Sequence, residues 1–230
     1  MSEGPFKPGA IADAEALSAS DDAQVHVRRW WRLLPRVLTH PTEVFVALRD
    51  DDHVDVEARS EPILAIVLLA GMAAMLLTPA WGRLLDEESF DWIVLAVVTF
   101  IGGLLYGAFG YFLLGFVVWL GARGVGVDTA ARPARQVVAF SALPFALSIV
   151  VTVPAIVFAF GTDWFRTGGA DDGAGRVLVL AIGLGFAFWS LGLLALGLRT
   201  TFELPWRGVA GAMALAGVIV ATLAVVPSVL

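Results

Sequence analysis

Residues 92–121 read WIVLAVVTFIGGLLYGAFGYFLLGFVVWLG. No Asp, Glu, Lys, Arg or His interrupts the run. As a helix rising 1.5 Å per residue it would reach about 45 Å. The hydrocarbon core of a bilayer is about 30 Å thick and is crossed by roughly 20 apolar residues. The stretch therefore predicts a transmembrane helix, long enough to tilt or to protrude. Four more apolar stretches flank it, at residues 62–81, 136–160, 177–198 and 208–229, and none carries an ionisable residue in its interior. The 230-residue composition agrees: 58% is apolar and 16% charged, where soluble proteins are about 45–50% apolar. Mean hydropathy is +0.82. The fold class expected is all-α: a polytopic membrane protein with five transmembrane helices.

Orientation follows from the basic residues between the spans. Lys7, Arg28, Arg29, Arg32, Arg36, Arg49 and Arg59 precede the first span; Arg123, Arg132 and Arg135 follow the second; Arg199 and Arg207 follow the fourth. The opposite side has only Arg83, Arg166 and Arg176. The asymmetry predicts a cytoplasmic N-terminus and an outside C-terminus. Trp81, Trp92, Trp119, Trp164 and Trp206 fall near predicted helix ends, as an aromatic belt requires, and Trp189 lies mid-span.

Residues 1–24 are polar, acidic and rich in small side chains, and read as a disordered cytoplasmic tail without a cleavable signal. Residues 25–48, VHVRRWWRLLPRVLTHPTEVFVAL, set Arg28, Arg29, Arg32 and Arg36 beside Trp30, Trp31, Leu33 and Leu34. Arginines attract anionic headgroups while indole and leucine side chains enter the interface. Pro41 suits the first turn of a second short helix, with Glu43 near its positive end and Phe45 and Leu48 on one face. Two amphipathic helices on the cytoplasmic surface are expected, followed by a solvated acidic linker, RDDDHVDVEARSE, at 49–61. The expected organisation is thus tail 1–24, interfacial helices and linker 25–61, and a transmembrane domain 62–230.

Within the spans, Gly103 and Gly107 form a G-x-x-x-G pair, with Gly110 and Gly115 beyond, and Gly208, Ala212 and Ala216 repeat the spacing. Small residues four apart allow close helix approach, between subunits or within one. Pro144 and Pro154 each remove a backbone hydrogen bond inside the third span, which predicts a kink, fixed or lining a cavity. The Tyr106 and Tyr111 hydroxyls need partners, either a backbone carbonyl or a polar cavity. Asp50, His53 and Glu57 share a spacing that could hold a divalent cation, but an acidic linker is the simpler reading.

The sequence has no Cys, which excludes disulfides and thiolate metal sites, and its net charge of −6 shows no basic excess for nucleic acid. The spans contain no ionisable residues of the kind that couple ions to transport. No phosphate-binding loop, catalytic triad or H-E-x-x-H motif is present. These absences point away from an enzyme and imply no catalytic residue, cofactor or metal.

The segments HPTEVFVAL, RQVVAFSALPFALS and LRTTFELPWRGVAGAMAL, set around five apolar spans, resemble the Yip1 family, including its bacterial members. The resemblance covers roughly residues 30–230 and is carried best by Pro41, Phe45, Ala139, Ser141 and Pro144, with the Tyr and Gly residues of the second span. It does not extend to the Asp-Leu-Tyr-Gly-Pro motif of the eukaryotic branch, and so not to Rab binding. It implies a five-helix protein without catalytic activity. The expected function is a non-enzymatic scaffold or adaptor of the bacterial inner membrane, engaging anionic lipid and a membrane-protein partner or a second copy. The alternative is a transporter, channel or lipid-translocating protein for a neutral or lipidic substrate.

Overall fold

The computed structural model describes residues 25–49, 53–77, 92–165 and 173–229; the expected tail at 1–24 lies outside them, as do Asp50, Trp81, Arg83 and Arg166. Helix α1 covers residues 25–39. It is followed by α2 (Pro41–Ala47), α3 (His53–Ala58), α4 (Ser60–Leu77) and α5 (Trp92–Gly124). Three short helices follow, α6 (Ala131–Ser141), α7 (Leu143–Leu147) and α8 (Ile149–Ala159), then a 3₁₀ turn (Gly161–Phe165), α9 (Ala174–Thr201) and α10 (Trp206–Val229). No strand occurs among the described residues. Four stretches are long and apolar enough to cross a bilayer: Asp55–Leu77, Ile93–Gly124, Ala131–Ala159 and Ala174–Thr201. The last helix adds a shorter apolar segment, Trp206–Ala221.

Helix α5 is the spine, packing against α4, α6 and α10, while α9 packs against α6, α7 and α2. The α4–α5 contact depends on glycine. A Cβ on Gly71 would lie 2.5 Å from Gly107 N and 2.7 Å from Gly107 Cα. Lipid tails give little hydrophobic drive for helices to associate, so close packing of small residues supplies the attraction instead. Away from these contacts α5 presents Ile93, Phe100, Leu105, Phe109 and Phe112 outward, as a lipid-facing surface requires.

The third span departs from the single kinked helix expected at 136–160. Pro144 has no N–H and its ring crowds the preceding turn, so α6 stops at Ser141 and α7 restarts with Pro144 in its first turn. In lipid the freed backbone groups must find partners inside the protein. The Phe145 N–H donates to Ser190 Oγ of α9 at 3.2 Å, and Ser148 Oγ donates to Phe145 O at 2.6 Å. Pro154 lies inside α8 without ending it.

Helix ends are fastened by side chains. Trp119 Nε1 donates to Thr129 O at 2.8 Å with Arg123 over its ring, and Arg199 lies 4.6 Å over the exposed Trp206 ring. Trp164, expected in the lipid-facing belt, is instead buried and donates to Leu76 O at 3.1 Å. Its indole N–H thus finds its acceptor in the last described turn of α4.

Candidate functional site

Helix α1 has two faces. Trp30 and Val37 are buried, and Val27, Leu34 and Leu38 pack against the same core. Arg28, Arg29, Arg32 and Arg36 are all exposed on the other side. At 100° per residue the arginines fall within one third of the helix circumference, roughly opposite Trp30 and Val37. The apolar face expected to enter lipid is therefore occupied by protein. Trp30 is only 1% exposed, its ring 5.6 Å from Phe140 of α6. Its neighbour Trp31 is 42% exposed and reaches Glu61 Oε2 at 3.5 Å. Arg36 approaches Glu43 of α2 at 3.6 Å, both exposed.

What holds α1 and α2 in place is a buried polar cluster built on Arg59, at the junction of α3 and α4. Arg59 is 0% exposed. Its guanidinium donates to Ala47 O at 3.2 Å, to Leu48 O at 3.4 Å and to Gln136 Oε1 at 3.1 Å, and lies 4.6 Å from the Trp30 ring centroid. The two carbonyls close α2, so Arg59 places a cation at the negative end of that helix. Only a planar fork of donors can serve carbonyls, an amide and an aromatic face at once, which is the chemistry of arginine rather than lysine. One turn earlier Asp55, also buried, accepts from Trp30 Nε1 at 3.4 Å and meets His26 Nδ1 of α1 at 2.9 Å. The expected solvated linker is thus, over residues 53–58, a helix that turns a carboxylate inward. Of the spacing Asp50, His53 and Glu57, Asp50 lies outside the described residues; among the described residues no group of three or more His, Asp or Glu could hold a metal.

A second fastening ties the same C-terminal end of α2 to the end of α9. Arg49 pairs with Glu203 at 2.6 Å and donates from Nε to Thr200 O at 2.9 Å, and Thr201 Oγ1 donates to Phe45 O at 3.2 Å. Glu203 takes a positive φ of 57°, alone among described non-glycine residues. The ring of Phe45 lies against Gly197, where a Cβ would come within 2.9 Å of Cε1.

The candidates of the second and third spans divide. Gly103 and Gly107 are taken up by α4: a Cβ on Gly103 would be 2.9 Å from Met72 N, and one on Gly107 would be 2.9 Å from Val67 C. This is packing within one subunit. Gly110 has open space around its Cα. Tyr106, Gly107, Gly110 and Tyr111 together line a cavity of about 160 Å³ beside Phe145. Tyr111 also meets Phe112 edge-on. Pro144 is buried at the α6–α7 break, and Pro154 lies apart, lining a larger apolar groove between α4, α5 and α8.

A family model, the Yip1 domain, matches residues 36–227. The chain belongs to the Yip1 family. The match begins in the last turn of α1, so α2 and the apolar helices fall within it while residues 25–35 of α1 precede it. Comparison with curated proteins and with solved structures gives no match. Yip1 proteins are generally non-enzymatic membrane proteins. The residues that carry the family likeness lie within or beside the docking region: Phe45, Ala139, Ser141 and Pro144 are all buried, and Pro41 opens α2.

Sequence reading missed Arg59, Asp55, His26 and Gln136 as partners. Arg59 and Asp55 are adjacent to a span and surrounded by charge, the pattern of a solvated flank. A signal was available in HVDVEARSEPIL, where Asp55 and Arg59 are four apart and would share one helix face with Pro62 and Ile63.

Proposed function

We propose that this Yip1-family protein is a non-enzymatic scaffold or adaptor of the bacterial inner membrane, oriented with its N-terminus in the cytoplasm and its C-terminus outside. In this reading the five apolar helices cross the bilayer and α1 and α2 form a rigid cytoplasmic platform. The observation that supports it is the two-faced α1: Trp30 and Val37 locked into the bundle, with Arg28, Arg29, Arg32 and Arg36 held outward. Four guanidinium groups on a fixed helix form a surface for anionic headgroups or an acidic segment of a membrane-protein partner, with little ordering cost on binding. The buried polar groups of the cluster bond to one another, which leaves them structural rather than catalytic.

The test replaces the four arginines with Gln and isolates both forms in native-lipid particles for mass spectrometry. The wild-type protein is expected to retain anionic lipid and a stoichiometric membrane protein or second copy. The variant should keep its thermal stability, since these side chains face outward, and lose both. Unchanged lipid and protein capture would overturn the reading.

A further inference from the structure

A groove of about 580 Å³ lies between α4, α5 and α8, lined by apolar side chains that include Met72, Leu76, Ile149 and Pro154, and by one hydroxyl, that of Thr99. Its volume is in the range of small-molecule sites. Thr99 is 5% exposed, and its Oγ1 has no hydrogen-bond partner among the described residues. That is unusual for a threonine in an apolar helix, where the hydroxyl normally returns to the carbonyl four residues earlier. Thr152 does so to Ser148 O at 2.9 Å, and Thr200 to Leu196 O at 2.7 Å. A buried hydroxyl without a partner is costly, and more so where no water reaches it. An occupant that supplies an acceptor removes that cost.

The place of Thr99 specifies the acceptor. The contacts of Gly102 with Met75 and of Gly107 with Val67 fix an antiparallel register of α4 and α5, which puts Thr99 level with the Leu76 end of α4. Thr99 lies nine residues from the midpoint of the 33-residue α5, or about 14 Å along the axis. Centred in a hydrocarbon core about 30 Å thick, that is the boundary where lipid ester carbonyls lie. From there the groove runs inward past Met72 to Leu69, about 10 Å nearer the midplane. Its rim is open, with Val150 67% exposed and Leu69 38% exposed. None of the described residues that line it is charged, so what these side chains offer is contact with an acyl chain and one hydroxyl.

We propose that this groove binds one acyl chain of a membrane glycerolipid, with the ester carbonyl accepting a hydrogen bond from Thr99 Oγ1 and the tail lying along α4 and α8. The site reads the ester and the chain, and leaves the headgroup in the interface. It is separate from the arginine face of α1 and does not depend on the scaffold reading.

Ether lipids, which lack the carbonyl, provide the test. The full chain is reconstituted in nanodiscs of dialkyl phosphatidylcholine containing a minor share of diacyl phosphatidylcholine with tails of the same length. Native mass spectrometry then reads the ratio of the two lipids retained on the protein. The wild type is expected to enrich the diacyl form about tenfold over the bulk mixture, the worth of one desolvated hydrogen bond. Thr99→Val, nearly the same shape, should return the ratio to bulk, and Thr99→Ser should keep the enrichment. Val153→Phe, which narrows the groove, should lower retention of both lipids. Exchanging phosphatidylcholine for phosphatidylglycerol should leave the enrichment unchanged. A bulk ratio on the wild type, or equal enrichment on Thr99→Val, would overturn the proposal.

Discussion

Replacing Arg59 with Met should undock the N-terminal helices while leaving the spans folded. The guanidinium satisfies two buried acceptors, Leu48 O and Gln136 Oε1, and the half-buried Ala47 O, and stacks on Trp30. A buried acceptor left without its donor costs about 1–3 kcal/mol, and the ring contact contributes about 1–2 kcal/mol. Against this, Met fills much of the volume and removes the penalty of burying a charge, which is why buried ionic groups contribute less than their contacts suggest. Taking the acceptors at their lower bound, and letting relief of desolvation offset the ring contact, gives a net loss of about 3 kcal/mol. The assay is amide deuterium exchange in nanodiscs. Protection over residues 25–48 should fall by about 100-fold, since each 1.4 kcal/mol is tenfold, with the middle of α5 unaffected. Arg59→Lys, a point charge without the planar fork, should fall between. Adding Gln136→Leu removes one orphaned acceptor, so Arg59→Met/Gln136→Leu should cost less than the sum of the single changes. A change of less than about fivefold in exchange over residues 25–48 would refute the idea that this cluster holds α1 and α2.

Other perturbations separate strong contacts from weak ones. Trp30→Ala removes the largest buried side chain of α1 and should destabilise docking by about 3–5 kcal/mol, read by the same exchange experiment. Gly71→Ala would place a Cβ 2.5 Å from Gly107 N and force the α4 and α5 backbones apart; thermal unfolding in detergent should show a loss of about 1–3 kcal/mol or more. Ser190→Ala strips the acceptor from the Phe145 N–H at the α6–α7 break, and should raise exchange at that amide with a cost of about 1–2 kcal/mol. Arg49→Ala, by contrast, breaks an ion pair whose side chains are 40% and 72% exposed, and should shift stability by less than about 1 kcal/mol. A loss as large as that of Arg59→Met would contradict the ranking of the two fastenings.

The spans were legible because their signal is local: a run such as 92–121 is apolar along its whole length, and lipid admits little else. The α2 start was legible for a similar reason, since Pro41 and Glu43 mark a first turn through their own backbone and charge preferences. The break at Pro144 was foreseen as a kink, but its repair by Ser190 depends on a helix 45 positions further along the chain.

By itself the sequence determined that this chain is helical and membrane-embedded, that its N-terminal segment carries one basic and one apolar face, and that it belongs with the Yip1 proteins. Only the tertiary structure decided what the apolar face touches. Amphipathicity gives a helix one face that must leave water, but lipid and protein satisfy that demand equally well. Trp30 chose protein because Arg59, Asp55 and Phe140, distant in sequence, converge there with mutually compatible hydrogen bonds and ring contacts. The same holds for Thr99, an ordinary residue in an apolar run until packing buries its hydroxyl without a partner among the described residues. Hydropathy is a sum over one segment, whereas hydrogen-bond satisfaction is a relation between segments, and only the folded chain fixes it.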